Sequence, residues 1–171
     1  MNLLLFVQVN PIAWGVNQSN FVIHGLWPEY SNGSWPQYCC HSSTCQFNES
    51  SIVNLVPNLT QWWTDFHNVK EFWRHEWQKH GTCSDLSEHD YFERGLLYRT
   101  ERPMREMLQL AELEPDTNYH TQLFIKNLTR VLHTQPALTC IGELLEQVII
   151  CYLNGKATDC EKSDCNDYVY Y

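Results

Sequence analysis

The chain has 171 residues, 43% of them hydrophobic, and a formal net charge of −9, which supplies apolar material for one buried core and sets residues 1–171 as one domain. So acidic a chain is repelled by nucleic acid at neutral pH, which argues against a general nucleic-acid-coating role there. Its eight histidines change the balance in acid, because protonating all of them near pH 5 brings the sum to about −1.

The first residues, Met1 to Val7, lack the basic segment, the long apolar run and the small-residue cleavage site of a secretory leader. The expectation is that a leader has been removed or that this start is not the natural one. Leu3 to Val9 is a continuous apolar run suited to a buried strand, and Phe21-Val22-Ile23 reads as a second strand that ends at His24 and passes into a Gly-Leu-Trp-Pro turn. Residues 29–48, "EYSNGSWPQYCCHSSTCQFN", carry the Ser, Asn, Gly, Pro and Cys content of a long stapled loop. Helical patterns follow over 49–66, where Pro57 interrupts, and over 70–80, 87–100, 104–113 and 120–133. The β-branched run "LLEQVIICYL" then meets Asn154-Gly155, a strong hairpin signal, with "KATDC" as the returning strand. Strands at both ends with helices between predict an α+β fold: a mostly antiparallel sheet with several helices packed on it. No apolar run approaches the roughly 20 residues that span a bilayer.

Eight cysteines in so short a chain point to disulfides and an oxidising compartment. Five Asn-x-Ser/Thr sequons, at Asn17, Asn32, Asn48, Asn58 and Asn127, point the same way. Together they predict a disulfide-stabilised glycoprotein that is secreted or held in a vacuole or lysosome.

The chemistry concentrates in "FWRHEWQKHGTC", residues 72–83. On a helix, with His75 at 0°, Lys79 falls at about 40°, Phe72 at about 60°, Glu76 at about 100° and His80 at about 140°. Trp73 and Trp77 take the adjoining face and anchor it in the core, while Arg74 and Gln78 face solvent. The spacing pairs His75 with Lys79 and Glu76 with His80, so that a carboxylate would orient the second imidazole and raise its pKa. A zinc site of the H-E-x-x-H type fails on geometry, because these histidines are five apart and diverge by about 140°. Acid/base chemistry on a phosphodiester fits better: one imidazole takes a proton, another gives one, and a lysine faces the charge that grows on phosphoryl oxygens. The second imidazole is supplied by His24 in "FVIHGLWPEY", residues 21–30.

These two blocks resemble the active-site segments of the ribonuclease T2 family of acid endoribonucleases. The resemblance extends to "NGSWPQYC", "YFERGL" and the C-terminal cysteines, and so runs from about residue 20 onward. It implies a ribonuclease T2-like fold. It also implies cleavage of single-stranded RNA through a 2′,3′-cyclic phosphate by a monomer that uses no cofactor, metal or membrane. His80 would be the general base and His24 the general acid. Glu76 and Lys79 would stabilise the phosphorane, and His75 would bind the phosphate. Trp27, Glu29 and Trp35 match one base pocket and Phe72 the other, although core packing is the competing role for the tryptophans. The implied disulfides are Cys39–Cys83, Cys140–Cys165 and Cys151–Cys160, leaving Cys40 and Cys45 to bond each other or one of them without a partner.

The match fails over the first twenty residues, where Asn10 stands in place of a tryptophan and the cysteine-bearing loop lacks its cysteine. The expectation there is a shortened or replaced loop and an altered second base pocket. The acidic charge favours the housekeeping or stress-induced branch over the basic self-incompatibility ribonucleases. A secreted binding or signalling glycoprotein on the same scaffold is the alternative, and RNA digestion at pH 5 in the presence of EDTA separates the two.

Overall fold

The computed structural model describes residues 3–16, 20–30, 32–65, 67–161 and 163–171; the sequon at Asn17 lies outside them. Strand β1 (Leu3–Val9) is the apolar run at the start of the chain, and β2 (Val22–Glu29) lies antiparallel beside it. On its other side β1 pairs with β5 (Leu144–Leu153), whose far edge carries β4 (Ala137–Ile141) and β6 (Lys156–Thr158). β7 (Tyr168–Tyr170) meets β5 in parallel at a single pair and holds β3 (Asn118–His120) antiparallel. The named strands are therefore mostly antiparallel, as the sequence led us to expect; a further isolated parallel bridge joins Thr139 to Asp164. Asn154 and Gly155 take φ of 51° and 75°, the left-handed pair that a two-residue hairpin between β5 and β6 requires.

Among the described residues five helices cover the sheet: α1 (Val56–Trp62), α2 (Val69–Lys79), α3 (Glu88–Glu101), α4 (Met104–Leu110) and α5 (Thr121–Leu132). Pro57 does not break a helix but sits in the first turn of α1, where its missing N–H costs nothing. The stretch before it forms only a short 3-10 turn, Glu49–Ile52. Strands β3, β4 and β7 were absent from the sequence reading. The first and last are three residues long, too short to show a period-2 pattern.

The helices and sheet close on a core that includes Phe6, Ile23, Leu26, Trp63, Trp73, Tyr91 and Ile150, all nearly or fully inaccessible to solvent. Four disulfides staple the loops: Cys39–Cys83, Cys140–Cys165, Cys151–Cys160 and Cys40–Cys45. The sequons at Asn32, Asn48 and Asn58 are exposed, and Asn127 on α5 is half-buried. No helix among the described residues is long and apolar enough to cross a membrane.

Candidate active site

Strand β2 does not end at His24, as the sequence suggested, but runs on to Glu29 with an irregular step. Val7 pairs with Gly25 and Gln8 with Ile23, so the register passes over His24. Ile23 and Leu26 are both fully buried in the main core, although residues three apart on a regular strand point to opposite faces. The extra residue reconciles them. A β-bulge at this point turns His24 out of the ladder toward the opposite face, a common use of bulges beside reactive sites.

Helix α2 begins with Asn68, whose side chain accepts the Glu71 N–H, and buries Trp73 and Trp77 as the wheel requires. The Trp73 indole N–H donates to the Trp63 carbonyl at 2.6 Å and that of Trp77 to the Cys45 carbonyl at 3.0 Å. His80 caps the helix at φ −115°, ψ −50° and is 5% exposed. The tail of the 29–48 loop is tied to this end of α2 by the Cys39–Cys83 bond and by the Tyr38 N–H, which donates to the Lys79 carbonyl at 3.0 Å.

Between β2, α2 and that loop lies a cleft of about 610 Å³. The structure brings all nine residues singled out in the sequence to it: His24, Trp27, Glu29, Trp35, Phe72, His75, Glu76, Lys79 and His80. Trp27 contacts both imidazoles, the half-buried His24 and the buried His80. Its ring meets His24 edge-on at 4.9 Å and stacks on His80 at 5.1 Å and 28°. Phe72 packs against the other side of His24 at 5.9 Å. Trp35 is 62% exposed at the mouth, and His75 is exposed at the rim.

One expected pairing is not formed. The Glu76 carboxyl does not orient His80; its Oε2 accepts the Trp27 indole N–H at 2.9 Å, and its link to His80 is the backbone bond from the His80 N–H to the Glu76 carbonyl at 3.0 Å. Glu76 is 2% exposed, so its oxygen takes the buried donor within reach. His80 departs from helical geometry at the cap, and its Nδ1 has no hydrogen-bond partner among the described residues.

The electrostatics follow from burial. Desolvation pushes the Glu76 carboxyl up to about 8, against the opposing pull of the Trp27 hydrogen bond and of Lys79. His80 is lowered to about 3, by burial first and then by Lys79, His75 and His24. His24 is lowered to about 4 by burial, Lys79 and His75. No carboxylate offsets these effects, so the imidazole pKa values move opposite to the direction that the spacing suggested. His75 is lowered by its partial burial and by Lys79, and Glu29 is raised by burial and then by Glu161.

Two residues around His24 were not anticipated. Gln147 on β5 places its amide 3.0 Å from His24 Nδ1, and Trp14 meets the His24 ring edge-on at 5.2 Å. The signal for Gln147 was present, as a polar side chain inside an otherwise buried strand. Trp14 had none, because it lies in the segment before residue 20 where the sequence led us to expect the resemblance to fail. Asn10 in that segment caps the 3-10 turn Pro11–Trp14 by accepting the Ile12 N–H, and donates to the Leu145 carbonyl at 3.1 Å.

Gly25 is fixed by this packing. A Cβ there would collide with the Trp27 indole nitrogen and with Glu76 Oε2. Gly25→Ala is therefore expected to break the Trp27–Glu76 hydrogen bond and destabilise the fold by about 1–3 kcal/mol, measurable as a lower urea midpoint at unchanged m.

The pattern that describes the Ribonuclease T2 family matches residues 8–165. The chain belongs to the Ribonuclease T2 family. This ribonuclease T2 chain is 35% identical to Ribonuclease 3 of Arabidopsis thaliana over 133 residues, which is 74% of this chain and 59% of that relative; it thus spans little more than half of the relative's length. Its fold matches ribonuclease MC1 from the seeds of bitter gourd with a TM-score of 0.92 and 27% identity, covering 100% of both chains. RNase NT, solved in complex with 5′-AMP, gives a TM-score of 0.87 and 28% identity over 100% of this chain and 98% of that one.

Proposed function

We propose that the chain is an endoribonuclease that cleaves single-stranded RNA with little sequence preference, leaving 2′,3′-cyclic phosphate ends. The observation that carries the reading is the contact of two imidazoles, His24 and His80, with one indole, Trp27, in a cleft that also holds Lys79. In this reading His80 removes the 2′-hydroxyl proton, the 2′-oxygen bonds to phosphorus, and the bond from phosphorus to the 5′-oxygen breaks as His24 protonates the departing oxygen. Proton transfer with solvent then restores the bare His80 and the charged His24. Lys79 faces the developing phosphoryl charge, and His75 binds the phosphate at the rim.

Glu76 supports this scheme as a neutral acid. Raised to about 8, its carboxyl adds no negative charge opposite a dianionic phosphorane, and its bond to Trp27 fixes the indole that both imidazoles touch. Trp27 thereby positions both rings, whereas the exposed Trp35 offers a free face for base stacking. Glu29 shares that pocket, and Phe72 forms a wall of the other. RNase NT is solved with 5′-AMP, and a nucleotide of that kind suits the proposed cleft. Four disulfides and exposed sequons support a secreted or vacuolar–lysosomal setting.

The test is digestion of a single-stranded RNA at pH 5 in EDTA, with the product ends read by mass spectrometry. Cyclic phosphate termini at mixed bases are expected. Intact RNA would leave the scaffold as a binding glycoprotein, and 5′-phosphate ends would replace the two-histidine scheme.

A further inference from the structure

Gln147 occupies an unusual place for an amide. It lies in β5, with β1 on one side and β4 on the other, paired with Val9 and Thr139, and it is 7% exposed. An amide taken out of water in such surroundings needs a hydrogen bond. It finds one across the sheet, where its Nε2 lies 3.0 Å from Nδ1 of His24. The ring is also boxed in by Trp14, Trp27 and Phe72. Trp14 is held in turn by Glu146, the neighbour of Gln147, whose Oε1 accepts the Trp14 indole N–H at 3.3 Å and whose Oε2 accepts the Thr139 hydroxyl at 3.2 Å.

We propose that Gln147 is a positioning residue for His24, holding the ring by Nδ1 so that Nε2 faces the cleft and is the nitrogen that gives up the exchangeable proton. Toward the ring as it rests in the structure the amide gives its N–H to Nδ1, and the single ring hydrogen sits on Nε2. Toward the charged ring the amide turns over and its carbonyl accepts Nδ1–H, and loss of the Nε2 proton then leaves a neutral ring that keeps its hydrogen on Nδ1 under the same carbonyl. The two ends of a glutamine amide are nearly the same size, so the exchange needs no added space. A carboxylate at 147 would accept Nδ1–H more strongly and favour the charged ring, and an apolar side chain would hold Nδ1 in neither state.

The inference rests on the nuclease reading for its catalytic consequence, but not for the hydrogen bond itself. The charged and titratable groups around His24 are Lys79, His75 and His80 from α2 and its cap, Glu76 behind Trp27, and Glu146 beside Gln147 behind Trp14. All of them remain in the variants proposed. The test compares Gln147→Glu with Gln147→Met by NMR titration of the His24 imidazole and by the pH dependence of kcat and KM on RNA.

A carboxylate against Nδ1 should move the His24 midpoint up by about 1–3 units and carry the alkaline limb of kcat/KM upward with it. Gln147→Met should move both down and cost about 10- to 100-fold in kcat with KM little changed. A purely structural glutamine would lower the melting temperature in both variants and leave the His24 titration where it was, and that result overturns the proposal. Should Gln147→Glu not fold, the downward shift in Gln147→Met decides the question alone. If the unmodified protein does not cut RNA, the nuclease reading fails while the titrations still decide the role of Gln147.

Discussion

His80→Ala is expected to slow RNA cleavage by about 10²- to 10⁴-fold, the range that a positioned general base supplies, with little change in the fold. The loss should fall on kcat, because His80 lies buried behind the Trp27 ring and the phosphate-facing groups, Lys79 and His75, stay in place. The effect on stability is the difference of two terms of similar size. Alanine forfeits the ring's stacking on Trp27, worth about 0.5–1.5 kcal/mol beyond its burial, but also removes a buried Nδ1 that has no partner among the described residues, a liability of about 1–3 kcal/mol. A melting curve near that of the unmodified protein beside a collapsed initial rate is the expected pair of measurements. Retention of more than a tenth of the rate would transfer the base role elsewhere, and His75 at the rim would be the next ring to replace.

Much of this site was legible because it is written in two local blocks. Between Phe72 and His80 the helical period alone places the chemistry on one face and Trp73 and Trp77 in the core, and the structure keeps that division. The electrostatics were not legible, because they depend on which donor reaches a buried carboxyl. Spacing pairs Glu76 with His80, yet the bond goes to Trp27, 49 residues away in the chain. The same limit affects the charge count: two of the eight histidines are held at about 4 and about 3 and stay largely neutral at pH 5, so the chain remains more negative there than the count of histidines implies. The bulge at His24 was hidden for a different reason. The run from Phe21 to Glu29 looks like a strand followed by a turn, and only the joint burial of Ile23 and Leu26 exposes the inserted residue.

Three groups in the cleft should also shape how stability depends on pH, and they act in opposite directions. The folded chain keeps His24 and His80 bare down to about 4 and about 3, whereas the unfolded chain protonates them near 6.5. Their contribution is complete above pH 6.5 and is lost as pH falls toward those lower values. Glu76 is the reverse: folded it keeps its proton up to about 8, unfolded it loses it near 4.5, so its contribution is complete below pH 4.5 and is lost as pH rises toward 8. Between pH 4.5 and 6.5 two histidines oppose one glutamate, and stability should rise with pH by about 1.4 kcal/mol per unit. Above 6.5 only Glu76 titrates, and stability should fall at about the same rate. Urea unfolding at half-unit steps from pH 4 to 8.5 should therefore show a maximum near pH 6.5, and Glu76→Gln should flatten the alkaline side and steepen the rise below pH 6.5 to about 2.7 kcal/mol per unit. A plateau from pH 6.5 to 8 would mean that Glu76 is ionised in the fold, which would put a negative charge opposite the phosphorane. The proposed reaction favours a different range. The free protein needs His24 protonated, below about 4, and His80 bare, above about 3, so kcat/KM should peak well on the acid side of the stability maximum. A bound phosphate anion raises both rings, so the alkaline limb of kcat should lie above that of kcat/KM. The same desolvation that stabilises the bare imidazoles in the fold makes the general acid hard to charge until RNA brings the compensating phosphate.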